Sequence, residues 1–447
     1  MKSVLFFCIG MMIGYSAKSQ ATLEEYIMLG FDNNQSIRQQ YFEYDKSTLA
    51  LKEAKTLFLP TVQLMSDYFL AGGGRTVDFP AGDLLNPVYG TLNQLTNTNN
   101  FPQLENQRIL LNPNNFYDVK IRTSAPIINP DIRYNRNIKK EQLELQRLQV
   151  DLYKRELAKE IKIAYFNYLK STQAIEIYKS ALAILNESKR INESLYQNDK
   201  VNRTVVIRAE NEITKFTTLV DIATQKSQTA KAYFNFLLNR NLDENINVDP
   251  QYNSAATTLG NLNGVSQREE LQQLRIAEEI TRQGLGLTQT YKTPKLNAFL
   301  DLGSQGFDGT VNRNSAYYFF GLSLQWDLFT AGRNKLKSQQ AQVDIDISQS
   351  KTTYVGQQLQ LQYTTSIHRL TEAISEYEAA LSNYKTSQKY YTDILKLYKE
   401  GQVLFIELLD AQNQLIQTEL QVNIALFETH IKAAEIERAD TSFNLNK

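Results

Sequence analysis

The chain has 447 residues, with 48 Lys plus Arg against 48 Asp plus Glu, so its formal net charge is zero. That balance leaves no basic excess for holding nucleic acid, and a single cysteine excludes a disulfide framework within the chain. Length alone admits two or three ordinary domains or one large elongated one.

Lys2, the apolar stretch Val4 to Ile13 and Ala17-Lys18-Ser19 read as a secretory signal over 1–19, cut after Ser19. Cys8 falls inside it, too early to head a processed lipoprotein. The mature chain is therefore expected to have no thiol, which removes disulfides, thiolate catalysis and Cys-ligated metals. Beyond the signal no run approaches the roughly 20 apolar residues of a membrane-spanning helix. An exported chain of this kind that enters a membrane must do so as a closed barrel.

Two kinds of segment then alternate, each occurring twice. Strands are expected at about 59–71 and 115–128, separated by 72–115, which is dense in Asn, Gly and Pro and reads as a long surface loop. Long polar helices follow at about Tyr134 to Tyr196 and Val205 to Leu238, completing a first repeat over 20–250. A connecting segment, 251–265, leads into a second repeat, 266–447, with strands at about 294–304 and 316–329 and helices at Asn334 to Glu400 and Phe405 to Ala439.

The helical segments contain almost no Gly or Pro, and a helix of about 60 residues spans about 90 Å. Their apolar residues step by three and four, as at Leu145, Leu148 and Leu152, while Leu408, Leu415 and Val422 recur at seven. That is a coiled-coil-like seam. The strands alternate with period two: Phe320, Leu322 and Leu324 against Gly321, Ser323 and Gln325; Leu296, Ala298, Leu300 and Leu302 against Asn297 and Asp301; Tyr117, Val119 and Ile121 against Asp118, Lys120 and Arg122; Val62, Leu64 and Tyr68 against Gln63 and Asp67. One face suits lipid and the other water. Tyr68, Phe69, Phe116, Tyr117, Tyr317, Tyr318, Phe319 and Phe320 crowd the strand ends, as interfacial girdles would. A single such strand would fit a soluble sheet with one buried face better; four, behind an export signal and without other sheet partners, reverse that preference and favour a membrane wall.

The two halves repeat internally. Pro60 and Val62 correspond to Pro294 and Leu296, an offset of 234. Beyond the first hairpin the offset is about 201 to 202, aligning Pro126-Ile127-Ile128 with Asp327-Leu328-Phe329, Tyr196 with Tyr398, and Ala209-Glu210-Asn211 with Ala411-Gln412-Asn413. The difference assigns about 33 extra residues to 72–115. Four strands cannot enclose a pore, and eight close around a space that side chains fill. Three copies, with 12 strands, are the smallest assembly with room for water.

In this order and spacing, Thr22-Leu23-Glu24-Glu25-Tyr26, Asn33-Asn34, Phe58-Leu59-Pro60, Trp326-Asp327-Leu328-Phe329-Thr330-Ala331-Gly332-Arg333, Tyr398-Lys399-Glu400-Gly401 and Glu407-Leu408-Leu409-Asp410-Ala411-Gln412 resemble the TolC family of outer-membrane efflux proteins over essentially the whole mature chain. The resemblance implies a mainly α protein with a membrane β-barrel portion. Duplicated α-β-β-α halves would give long antiparallel coiled-coil-like helices forming an α-barrel tunnel, plus four transmembrane β-strands per chain, closing as a 12-stranded barrel in a homotrimer. It implies an export channel in the cell outer membrane with its tunnel in the periplasm, a periplasmic adaptor and an inner-membrane transporter as partners, and no catalysis, cofactor or metal.

The turns at Asn198 to Thr204 and Gly401 to Ile406 are the candidate tunnel ends, which in the resembling family form the periplasmic aperture. Glu407 and Asp410 match acidic residues that ring the constriction there. The first turn departs from the pattern, with Asp199 where the repeat has Gly401, and offers Arg203 and Arg208. These arginines are expected to pair with Glu407 or Asp410 as a latch, or else to be solvated residues near helix ends. Val201, Gly401, Val403, Leu404 and Phe405 are candidate adaptor contacts, or alternatively packing within a trimer. His368 and His430 read as surface or seam residues, and Ala71-Gly72-Gly73-Gly74-Arg75 as a flexible hairpin tip, since no helix follows it to make a phosphate loop. The rival readings are a secreted helical coiled-coil structural protein without a pore, which would extract without detergent, and an enzyme such as a glycan hydrolase, for which no paired acids stand out.

Overall fold

The structure, a computed structural model, describes residues 22–112, 114–256 and 264–445; the expected signal segment and Cys8 lie outside them. In chain order the elements are α1 (Leu23–Asn33), α2 (Gln35–Thr56), β1 (Thr61–Phe69), β2 (Thr76–Phe79), α3 (Ala81–Thr96), β3 (Gln107–Leu110), β4 (Phe116–Ile128), α4 (Pro130–Gln197), α5 (Arg203–Leu237), α6 (Glu269–Thr288), β5 (Lys295–Phe307), β6 (Ala316–Gln325), α7 (Arg333–Lys399) and α8 (Phe405–Ala439). The four long helices expected from sequence are α4, α5, α7 and α8; α1, α2 and α6 complete the helical flanks before each strand pair. Among the described residues no helix is long and apolar enough to cross a membrane.

The motifs that carry the resemblance have plain structural roles. Thr22 and Glu25 form a capping box on α1, Glu25 N donating to Thr22 Oγ1 at 3.3 Å and Thr22 N to Glu25 Oε2 at 3.0 Å, while Leu23 and Tyr26 enter the core. Asn34 Oδ1 caps α2 by accepting from Ser36 N at 2.9 Å and Ile37 N at 3.2 Å. Ala331 and Gly332, at φ 49° and 80°, make the left-handed turn that launches α7.

The chain divides into two compact units, each discontinuous in sequence. One gathers the described residues within 1–48, 141–280 and 345–447. Its largest core cluster joins Tyr26 and Ile27 of α1, Ile161 and Tyr165 of α4, and Phe234 of α5 with Leu238 just beyond it. Full burial of each such side chain contributes about 1.5–3 kcal/mol. On α7 the buried positions Leu359, Ser366, Leu370, Ala373, Ala380, Ser387, Ile394 and Tyr398 recur at threes, fours and sevens, the seam of a coiled coil. His430, expected at a surface or seam, lies in a seam and is buried there. Its ring stacks on Phe166 at 5.0 Å and its Nε2 lies 2.8 Å from the Ser254 carbonyl oxygen, because α8 turns this face toward α4 and the 250–256 segment.

The other unit, within 49–140 and 281–344, is built on an antiparallel sheet of order β1-β4-β5-β6. The register sorts its residues onto two faces. Val62, Leu64 and Tyr68 share one face with Tyr117, Val119, Ile121, Leu296, Ala298, Leu300, Leu302, Tyr318, Phe320, Leu322 and Leu324. Gln63 and Asp67 share the other with Asp118, Lys120, Arg122, Asp301, Tyr317 and Gln325. Two expectations need correction. Phe69, Phe116, Tyr317 and Phe319 lie on the polar face, so only Tyr68, Tyr117, Tyr318 and Phe320 of the aromatic set can girdle lipid. The last strand ends at Gln325 rather than 329, because Gln325 pairs with Lys295, the first residue of β5, and no partner lies beyond it.

The segment 72–115 is a folded insertion and not simply a loop. β2 and β3 pair, and α3 lies between them. Its asparagines replace a core by bonding distant backbone: Asn86 clasps Leu104 N and O at 2.7 and 3.0 Å, Asn93 clasps Phe101 N and O at 3.1 and 2.8 Å, and Asn106 Oδ1 accepts from Gly82 N at 3.0 Å. The glycines at 72–74 lead into β2, with Asn112 Nδ2 donating to the Gly73 carbonyl at 3.1 Å.

Candidate functional site

On the polar sheet face four charged side chains, Arg122, Asp301, Lys120 and Asp118, satisfy one another in pairs. Arg122 forks onto Asp301, Nε to Oδ1 at 2.7 Å and Nη2 to Oδ2 at 2.6 Å. Lys120 pairs with Asp118, which also accepts from the Tyr317 hydroxyl at 2.7 Å. The Arg122 guanidinium lies 5.1 Å from the Phe299 ring centre, and that ring occupies the space a side chain at Gly321 would fill. A water-facing wall with paired charges and an apolar back is the chemistry of a barrel strand set, and register supplies it across four strands drawn from both halves of the chain.

The helix tips repeat one motif. Lys200 N donates to Leu195 O at 2.9 Å and Asp199 N to Tyr196 O at 3.0 Å; 202 residues later, Gln402 N donates to Leu397 O at 3.0 Å and Gly401 N to Tyr398 O at 3.0 Å. Each is a Schellman turn with its left-handed residue at Asp199 (φ 51°) or Gly401 (φ 76°). Asn202 Oδ1 then caps α5, accepting from Thr204 N at 3.2 Å. Glu407 does the corresponding work for α8, its Oε1 accepting from Leu404 N at 3.1 Å.

Arg203, Arg208, Glu407 and Asp410 are all exposed. Among the described residues of one protomer, neither arginine forms an ion pair with Glu407 or Asp410; the structure gives Glu407 a capping bond instead. Of the tip apolar residues, Leu404 is 68% exposed, Val201 and Val403 are half-buried, and Phe405 is buried against Tyr398, ring centres 6.0 Å apart. Just above the tips lies a buried polar contact invisible to periodicity, Tyr398 hydroxyl to Asn192 Oδ1 at 2.5 Å.

In the helical unit an ionic cluster lines a cavity of about 760 Å³ between α4, α6, α7 and α8. Arg268 forks onto Glu270, with Nη2 to Oε1 at 2.6 Å, and Arg438 reaches both Glu270 at 2.8 Å and Glu156 at 3.2 Å. Burial alone would raise the Glu270 carboxyl, but the two guanidiniums outweigh it and hold it down to about 2. Among the described residues no cluster of His, Cys, Asp and Glu is placed to hold a metal ion.

Residues 265–440 match the family model described as outer membrane efflux protein. No curated protein matches the chain by sequence. Among solved structures, CusC, described as forming a transmembrane channel, superposes with a TM-score of 0.77 at 13% identity, covering 94% of this chain and 92% of its own. The outer membrane protein VceC of Vibrio cholerae gives 0.73 at 12% identity, with 93% and 95% covered, and the MtrE outer membrane channel of Neisseria gonorrhoeae 0.74 at 15%, with 94% and 88% covered. At such identities these likenesses establish the fold. The chain thus matches the outer membrane efflux protein model across most of its second repeat and shares the fold of these outer-membrane channels over 93–94% of its length.

Proposed function

We propose that three copies of this chain form an outer-membrane efflux channel, the four strands of each closing a 12-stranded barrel and the long helices forming a tunnel in the periplasm. The observation that carries the reading is the sorting of four strands into one continuous apolar face and one ion-paired polar face. A secreted helical structural protein would have no use for so large an uncovered apolar face. The conduit is passive. Substrates reach it from an inner-membrane transporter through a periplasmic adaptor, and the chain contributes no catalysis and binds no cofactor.

At the periplasmic end, Glu407 and Asp410 from three chains supply six carboxylates around the aperture, a ring that favours cations. Arg203 and Arg208 act as the latch by reaching the acids of a neighbouring protomer. Exposed pairs contribute only about 0–1 kcal/mol each, so an adaptor can release them. Leu404 and Gly401, flanked by Val201 and Val403, form the adaptor contact, with Phe405 supporting them from beneath. In this reading the chain divides into a signal over 1–19 and two repeats, 20–250 and 266–447, joined by 251–265.

The oligomeric mass of the detergent-extracted outer-membrane fraction, followed by single-channel conductance on the same sample, tests the reading. A trimer with small, cation-preferring conductance is expected; a monomer in the soluble fraction overturns it. For the latch, Arg203→Ala and Glu407→Gln channels should open more often than wild type, glutamine keeping an acceptor for Leu404 N–H. Channels that stay as closed as wild type refute it.

A further inference from the structure

Phe69, Phe116 and Phe307 form one cross-strand row at the loop-bearing end of the sheet, on the polar face. Their ring centres stand 6.3 and 5.1 Å apart, and Phe69 and Phe307 remain 45% and 55% exposed. The surrounding turns pin the row. Asp308 N donates to Asn115 O at 2.7 Å, Asn115 Nδ2 donates to Asp308 Oδ1 at 2.5 Å, the Tyr68 hydroxyl bonds Asn115, and Ala71 N donates to Asn114 Oδ1 at 3.1 Å. The rings therefore hold their positions without a core around them.

Two residues along the strands, Asp67 and Asp118 face each other in register. Asp118 is satisfied by Lys120 and Tyr317. Asp67 is exposed and forms no ion pair among the described residues. From the row to Arg122 and Asp301, the face carries Asp67, Asp118 and Asp301 against Lys120 and Arg122, leaving one carboxylate in excess, and Asp67 is the uncommitted one. Fixed aromatic faces beside an uncompensated carboxylate suit a flat or ring-bearing organic cation, whose charge is drawn to both the ring quadrupole and the acid. The same face already seats one cation on a ring, Arg122 on Phe299.

We propose that Phe69, Phe116 and Phe307, with Asp67, form a binding ledge for lipophilic organic cations at the outer mouth of the pore. This rests on the channel reading above. Three copies bring nine rings and three carboxylates around the opening, so a departing cation is retained briefly where the wall would otherwise be polar.

The probe is tetraphenylphosphonium, added to either side of wild-type channels in planar bilayers. Reversible block is expected, tighter from the side of the 72–115 insertion. The Phe69→Ala/Phe116→Ala/Phe307→Ala variant should weaken the block constant about tenfold, with potassium chloride conductance equal or larger, and Asp67→Asn should weaken it about threefold. The corresponding triple leucine variant keeps apolar volume at all three positions and should also lose most of the block, so the test survives an alanine variant that does not assemble. Block constants unchanged in these variants overturn the ledge, as does a wild type that conducts without being blocked. A wild type that does not conduct overturns the channel reading instead.

Discussion

Arg122 on β4 and Asp301 on β5 face each other in register and close a two-pronged ion pair, with the Asp301 side chain only 4% exposed. Removing the guanidinium strands a carboxylate that the sheet has already desolvated. Arg122→Ala should destabilise the protein, and Arg122→Lys, which keeps the charge without the fork, less so. Thermal unfolding of the detergent-extracted protein measures both. Equal melting of wild type and Arg122→Ala would mean that pore water screens the pair completely.

Tyr398 and Asn192 make the corresponding contact in the helical unit, deeply buried just above the tips. Tyr398→Phe leaves the ring in place and deprives Asn192 Oδ1 of its donor, an expected loss of about 1–3 kcal/mol. Because this bond ties α4 to α7, the variant's channels should also open more often in planar bilayers. A variant less stable but as closed as wild type would make the bond structural only.

The acid response of the helical unit should centre on Glu270. Its folded value of about 2 lies below the ordinary 4.5, so the stability it contributes is present above pH 4.5 and is lost as pH falls toward 2. Thermal unfolding followed by far-ultraviolet circular dichroism should show wild type losing stability across that window. Glu270→Gln should be less stable at neutral pH and flatter on acidification. Glu156, also held below its ordinary value once Lys159 and Arg438 outweigh its burial, leaves some residual slope.

The two tip turns share a backbone but not a residue, which makes their tolerance unequal. Gly401→Ala forces a Cβ into φ 76° and should cost about 1–2 kcal/mol in chemical denaturation. Asp199→Gly, at φ 51°, should change stability by less than about 0.5 kcal/mol, since aspartate already tolerates this region and glycine gains freedom when unfolded.

The long helices and the four strands are legible in the sequence because each is a periodicity of its own segment. What escaped depends on partners. The end of β6 is set by Lys295, where its neighbour begins, and the fold of 72–115 by amide side chains bonding backbone eight to twenty-four residues away. Phe69 shares its parity with Asp67, so its place on the polar face is legible once parity is weighed above residue type. Tyr196 and Tyr398 are equivalent in the repeat, yet one is 43% exposed and the other 4%, since only Tyr398 has Asn192 and Phe405 beside it. Glu407 could be found as an acid near a helix start; its service as a cap required the geometry.

Among the described residues β1 and β6 each pair with a single strand, so one protomer on its own carries two open hydrogen-bonding edges beside an uncovered apolar sheet. Such a sheet pairs with whatever reaches it first. In the proposed trimer, the interval before this chain meets its sister copies is therefore the hazardous stage of its life, and it lengthens steeply as copies become scarce. Low expression should consequently yield proportionally more degraded chain than high expression, because proteolysis does not slow on dilution as assembly does.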